Sequence, residues 1–132
     1  MNRTDLVAEL AKKSGLVWIS YAGHTRAVWH EWIDGAVCVV AGGTEQPLPD
    51  IERHDTVILS LRSKSTRALV AEVKARVEVV TPDSEHWDTV TLALKAGRLN
   101  LADGDHAIER WATESVVVRL VPGLATGTSV ES

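Results

Sequence analysis

Residues 16–43, LVWISYAGHTRAVWHEWIDGAVCVVAGG, hold the pattern on which the fold turns. Asp34-Gly35 is the clearest turn signal in the chain, because a two-residue hairpin turn needs positive φ, which Asp and Gly tolerate. It predicts a hairpin between a strand over residues 25–33 and one over residues 36–41. Ile33 then faces Ala36, Trp32 faces Val37, Glu31 faces Cys38, His30 faces Val39 and Trp29 faces Val40. A preceding strand over residues 16–22 is closed by Gly23-His24. In this register one face carries Val28, His30, Trp32, Val37, Val39 and Ala41. The other carries Trp29, Glu31, Ile33, Cys38 and Val40. Both are largely apolar, so a sheet wet on one side fits poorly. Such strands need a barrel interior on one side and a helix or second subunit on the other. The expectation is a curled sheet whose outer wall is covered in a homodimer.

Upstream, residues 4–13 read as a short helix, with Thr4 as N-cap, Leu6, Val7 and Leu10 as an apolar stripe, and Gly15 as a stop. Downstream lies a loop over residues 42–55, with Pro47, Pro49 and one turn of helix near Asp50. A buried strand follows over 56–61. The strongest strand spans residues 68–80, where Leu69, Ala71, Val73, Ala75, Val77 and Val79 alternate with Glu72, Lys74, Arg76 and Glu78. Thr81-Pro82 predicts a helix start, with Trp87, Val90, Thr91 and Leu94 on its inner face and Gly97 as its stop. A second short helix is expected from Asp103 or Gly104 through Trp111, and a last strand over 115–121. The fold class is therefore mostly β: an antiparallel, six-stranded, Greek-key-like barrel with accessory helices. Residues 1–122 form one domain, and 123–132 read as a flexible tail.

Composition agrees. The chain has 132 residues, 45% of them hydrophobic, enough for one core without staples. Its 18 Val, 5 Ile and 11 Thr lean toward sheet, and its lone Cys38 excludes an internal disulfide or a CxxC site. Nothing near Met1 reads as an apolar signal core, and the longest apolar run is residues 36–41. A cytoplasmic protein with no membrane partner is expected. A net charge of −4 argues against nucleic acid as a partner. The charge is uneven, with six Lys/Arg against two acids over residues 53–76 between acidic flanks. That suits a local anion site for a small-molecule ligand.

Side-chain chemistry is sparse. His30 and Glu31 are strand neighbours pointing to opposite faces, so they cannot share a metal. His106 and Glu109 stand three apart with no further ligands in view. Cys38, mid-strand and facing Glu31, reads as an inert thiol. GxGxxG, P-loop and GxSxG patterns do not occur. Trp87 and Trp111 read as core, and Trp29 as a candidate pocket wall. The run Arg62–Arg67, RSKSTR, sets three cations among three hydroxyls. It reads either as an anion contact, with Arg62 and Lys64 leading, or as a solvated hairpin tip.

The element order, with RAVW over residues 26–29, DGAVCVVAGG over 34–43, VEVVTP over 77–82 and VVVRLVP over 116–122, resembles the split β-barrel of the pyridoxamine 5′-phosphate oxidase-like family. The likeness covers residues 4–122. It implies a homodimer that binds FMN or a deazaflavin between subunits, with a possible flavin-dependent oxidoreductase activity. Carried over by position, Arg26 is the phosphate-binding arginine and Trp29 lies beside the ring. Thr44 stands for the family's hydroxyl, and Gln46 stands where its lysine is expected. Gln brings a hydrogen bond without charge. The alternative is a non-catalytic barrel that binds a small ligand or a protein partner without flavin.

Overall fold

The computed structural model describes residues 3–13, 16–42, 45–62, 69–97 and 106–122. Helix α1 (Arg3–Lys13) is followed by β1 (Leu16–Tyr21), β2 (His24–Trp29), β3 (Glu31–Ile33) and β4 (Ala36–Ala41). One turn of 3-10 helix (Ile51–Arg53) precedes β5 (Thr56–Arg62) and β6 (Leu69–Val80). Helices α2 (Trp87–Gly97) and α3 (Ala107–Glu114) then lead into β7 (Val116–Pro122). The seven strands form one antiparallel sheet in the order β2-β1-β5-β6-β7-β4-β3.

The two edge strands, β2 and β3, are consecutive in the chain with only His30 between them. The sheet must therefore curl until its edges meet, and a split β-barrel results. The expected single strand over residues 25–33 is two strands, which makes the count seven rather than six. Its first part pairs with β1, up to Trp29 opposite Leu16. Its second part pairs with β4 in the expected register, Ile33 with Ala36, Trp32 with Val37 and Glu31 with Cys38. The expected pairs of His30 with Val39 and Trp29 with Val40 do not form, because the chain changes partner at His30. Val39 and Val40 pair with Val118 and Val117 of β7.

Positive φ at Asp34 (48°) and Gly35 (81°) makes the expected hairpin turn, and Ala22 (50°) with Gly23 (80°) makes a second one. The first hairpin therefore turns one residue earlier than Gly23-His24, since Tyr21 pairs with His24. The alternation of β6 holds over residues 71–76 and then fails, since Val79 is 46% exposed while Val80, of the opposite phase, is buried under α2 and α3. Ala71, Val73 and Ala75 are buried, while Glu72, Lys74 and Arg76 are exposed.

Both faces of β4 are buried, as its sequence requires. Val37, Val39 and Ala41 join Val17, Ile19, Val28, Leu59 and Leu120 inside the barrel, where α1 adds Val7 and Ala11. Ala36, Cys38 and Val40 face outward against Trp87, Val90 and Leu94 of α2 and Ala107 and Trp111 of α3. That second cover is the chain's own pair of helices, so double-sided burial of β4 carries no argument for a second subunit. Helix α2 shows the expected inner face but begins at Trp87 instead of Pro82. The Thr81 hydroxyl donates to Asp83 at 2.5 Å, and two turns intervene, from Ser84 N to Thr81 O and from Trp87 N to Ser84 O. The expected start of α3 at residue 103 or 104 lies outside the described residues.

Among the described residues His30, Ser60, Thr91 and Arg119 are buried polar groups, and two of them tie elements together. Arg119 of β7 donates to Glu78 at 2.5 Å and to the Asp34 carbonyl at 3.2 Å, tying β6 to the hairpin turn. His30, 5% exposed, donates from Nε2 to the Ala11 carbonyl at 2.9 Å and so pins α1 to the barrel seam. Burial holds its pKa below the ordinary histidine value, although backbone acceptors at Ala11 and Val28 pull it upward. With a folded pKa below the unfolded one, its contribution is complete above about pH 6.5 and is lost as pH falls toward the folded value. Urea unfolding should show stability declining on acidification from pH 7.5 to 5.5. In His30→Gln, which keeps a donor toward Ala11, that decline should be shallower.

Candidate functional site

At the mouth of the barrel lies a cleft of about 370 Å³, near the lower end of the ~300–1,000 Å³ usual for ligand pockets. Its floor is apolar: Ala41, Leu48 and Val116, with Pro47 and Pro49 on one wall. Its charged groups are Arg26, Asp50 and Glu52. Arg26 reaches it because of phase. It pairs with Ile19 of β1 and shares the inward direction of Val28, yet lies near the strand end, where the barrel interior gives way to solvent. Arg26 makes no hydrogen bond or ion pair among the described residues, so its guanidinium is available.

The opposite wall is the segment leaving β4, and it is fastened at several points. Gly42, at φ 82°, donates from N to the Gln46 carbonyl at 2.8 Å, and its own carbonyl accepts from Ser115 Oγ at 3.1 Å. The Glu45 carboxylate, 3% exposed, accepts from Arg110 at 3.0 Å and from the Trp111 indole N–H at 3.1 Å. Gln46 clasps the free edge of β2. Its Oε1 accepts from Trp29 N at 2.7 Å, and its Nε2 donates to Trp29 O at 3.1 Å. Leu48 and Ile51 sink into the barrel core. Tyr21 donates its hydroxyl to the Pro49 carbonyl at 2.9 Å and meets the His54 ring edge-on at 4.9 Å. A wall held this way is shaped before any ligand arrives.

The charges share one field. Burial raises the Tyr21 phenol above its ordinary pKa, Arg26 pulls it down, and Asp50 and Glu52 push it up. Asp50 lies 3.8 Å from Arg53 in an exposed pair, and Glu52 has no ion-pair partner among the described residues. Asp50 also takes a left-handed backbone, φ 55°, to start the 3-10 turn.

The residues expected from sequence are thus distributed unevenly. Arg26 lines the cleft. Gln46 stands behind its wall with both amide atoms engaged on Trp29. The Trp29 ring points to the other face of β2, against the cluster under α2 and α3, and does not line the cleft. Arg62 closes β5 at the end remote from Tyr21, paired with Leu69. Thr44 and Lys64 lie outside the described residues. The Cys38 thiol is fully buried, and burial drives its pKa up to about 12; Arg119 opposes this, and the facing Glu31 adds only a minor push. His106 and Glu109 form an exposed pair at 3.5 Å. Tyr21, Glu45, Pro47, Pro49 and Glu52 were not legible as site residues, although two prolines bracketing a leucine do mark a stiff loop.

No family model and no curated protein matches this chain. Solved structures do. The haem-storage protein HutZ of Vibrio cholerae is 14% identical, with a TM-score of 0.62 over 95% of this chain and 93% of that one. A pyridoxamine 5′-phosphate oxidase-like protein of Listeria innocua is 13% identical, with a TM-score of 0.61 over 92% and 94%. An F420 reductase is 18% identical, with a TM-score of 0.58 over 87% and 91%. The fold is that of the pyridoxamine 5′-phosphate oxidase-like split barrel.

The clasp on Trp29 has a measurable consequence. Gln46→Ala removes both of its hydrogen bonds and should cost about 1–3 kcal/mol in urea unfolding. Hydrogen exchange at the Trp29 amide should accelerate. Unchanged exchange there would show that the clasp does not form in solution.

Proposed function

We propose that the cleft holds one end of a flavin-type cofactor, FMN or a deazaflavin, and that the protein works as a homodimeric oxidoreductase. One observation carries this reading. Arg26 of β2 and the segment leaving β4, far apart in sequence, converge on one preformed cleft. These are the two places where the family resemblance expects phosphate contacts. The solved relatives add support, since an F420 reductase and a pyridoxamine 5′-phosphate oxidase-like protein share the fold.

In this reading Arg26 supplies the charge-assisted contact to the ligand's anionic group. Leu48, Val116 and the two prolines exclude water beside it. The ring supplies the electron chemistry, so no side-chain acid, base or nucleophile is required. Cys38, sealed at the base of the outer cluster, takes no part. The second subunit would cover the outer wall of β1, β2 and β5. There Leu16 is 51% exposed and shares its face with Trp18, Ala27 and Ile58, while Trp29 on the same wall packs against the α2–α3 cluster.

A specific observation favours the runner-up, a non-catalytic barrel for another small ligand. Gln46 brings no charge where the family's lysine is expected, and its amide is committed to Trp29.

FMN fluorescence quenching separates the two. The flavin reading expects micromolar binding, weakened roughly tenfold or more in Arg26→Ala, as the loss of a hydrogen bond to a charged group implies. A wild-type protein that leaves FMN and deazaflavin fluorescence unchanged, with an unshifted Tm at saturating cofactor, contradicts it. Sedimentation of wild type as a dimer and of Trp18→Glu as a monomer tests the shared wall.

A further inference from the structure

We propose that Asp50 and Glu52 are specificity residues that set the charge of the ligand: the cleft admits one negative charge at Arg26 and disfavours a second. The inference rests on the reading of the cleft as a flavin-type site and deepens it. Within the flavin reading it favours a ligand whose end at Arg26 carries a single negative charge over one that brings a dianionic phosphate, and FMN binds with that handicap.

The argument starts from the balance of charge around an apolar floor. Arg26, Asp50 and Glu52 all line the same cleft, leaving its described walls with one more negative than positive group. All three also act on the Tyr21 phenol, Arg26 against the two carboxylates, which places them in one field independently of the cleft's outline. Arg26 and Glu52 have no ion-pair partners among the described residues. Asp50 is paired with Arg53 at 3.8 Å with both side chains exposed, so Glu52 is the less compensated of the two carboxylates.

An apolar floor lowers the local dielectric and lengthens the reach of each charge. A dianionic phosphate brought to Arg26 gains one attraction and meets two repulsions. A neutral ribityl chain meets neither repulsion. The wall that carries Asp50 is also held in place, by Leu48 and Ile51 in the core and by the bond from Tyr21 to Pro49. The backbone that carries the two carboxylates therefore cannot leave the cleft without pulling buried groups into water.

Riboflavin and FMN form the test pair, since they differ only in the phosphate. Binding of each is measured by fluorescence quenching to wild type, Glu52→Gln and the double variant Asp50→Asn/Glu52→Gln. Asn tolerates the left-handed backbone at position 50 as Asp does, and both sites are exposed, so the fold is kept. An unshifted Tm for each variant confirms it. FMN should bind the double variant about tenfold more tightly than wild type, and Glu52→Gln in between. Riboflavin should change by less than about twofold, and added salt should shrink the difference between the proteins. If both flavins bind and their affinity ratio is the same in all three proteins, the charge rule is wrong while the flavin reading stands. If neither flavin binds any of the three, the flavin reading fails and this inference falls with it.

Discussion

Trp29 pairs with Leu16 and Glu31 with Cys38, so the chain crosses from one edge of the sheet to the other in the space of one residue, His30. Every other feature of the molecule depends on that crossing. It closes the barrel, and by closing it brings the end of β2 beside the exit of β4. A histidine suits the place because its ring fills the seam while Nε2 satisfies the last turn of α1 through Ala11. The backbone of Trp29, left at the free edge, would be a liability if unpaired. The Gln46 amide fills that edge as a strand would, with one acceptor and one donor.

The same fastening explains what the cleft can do. A buried carboxylate is costly unless hydrogen-bonded and paired. Glu45 is both, through Trp111 and Arg110, and the tie locks the loop to α3. Together with Gln46, Ser115 and Tyr21 it holds a Pro-Leu-Pro wall opposite Arg26. The thiol and the buried histidine are placed elsewhere. The thiol is sealed under α2 and α3, and the buried histidine is engaged with α1. Among the described residues, the cleft offers shape, one cation without an ion-pair partner and two carboxylates.

Much of the fold was legible because it is local. Asp34-Gly35 marks its turn through backbone preference alone, and the period of β6 and the inner face of α2 follow from side-chain spacing. The break at His30 was not legible, since alternation runs through it undisturbed and a change of pairing partner leaves no trace in a period of two. The cover over β4 was ambiguous for a related reason. Greasiness on two faces says that both are buried, not by what, and α2 and α3 come from more than forty residues downstream. At Thr81 a strong local signal lost to a stronger one, the Asp83–Ser84 turns. Arg26, singled out by the family resemblance, lines the cleft. The sequence does not show the partner of Gln46: Trp29 lies 17 residues away, and only the closed barrel brings the two together.

The most direct test is residue-resolved: amide NMR shifts of the protein titrated with riboflavin and with FMN. Convergence of β2 and the β4 exit on one ligand cleft requires the largest shifts at Arg26, Gly42, Leu48 and Val116. Shifts confined to α2 and α3, or no shifts at all with either flavin, would contradict it.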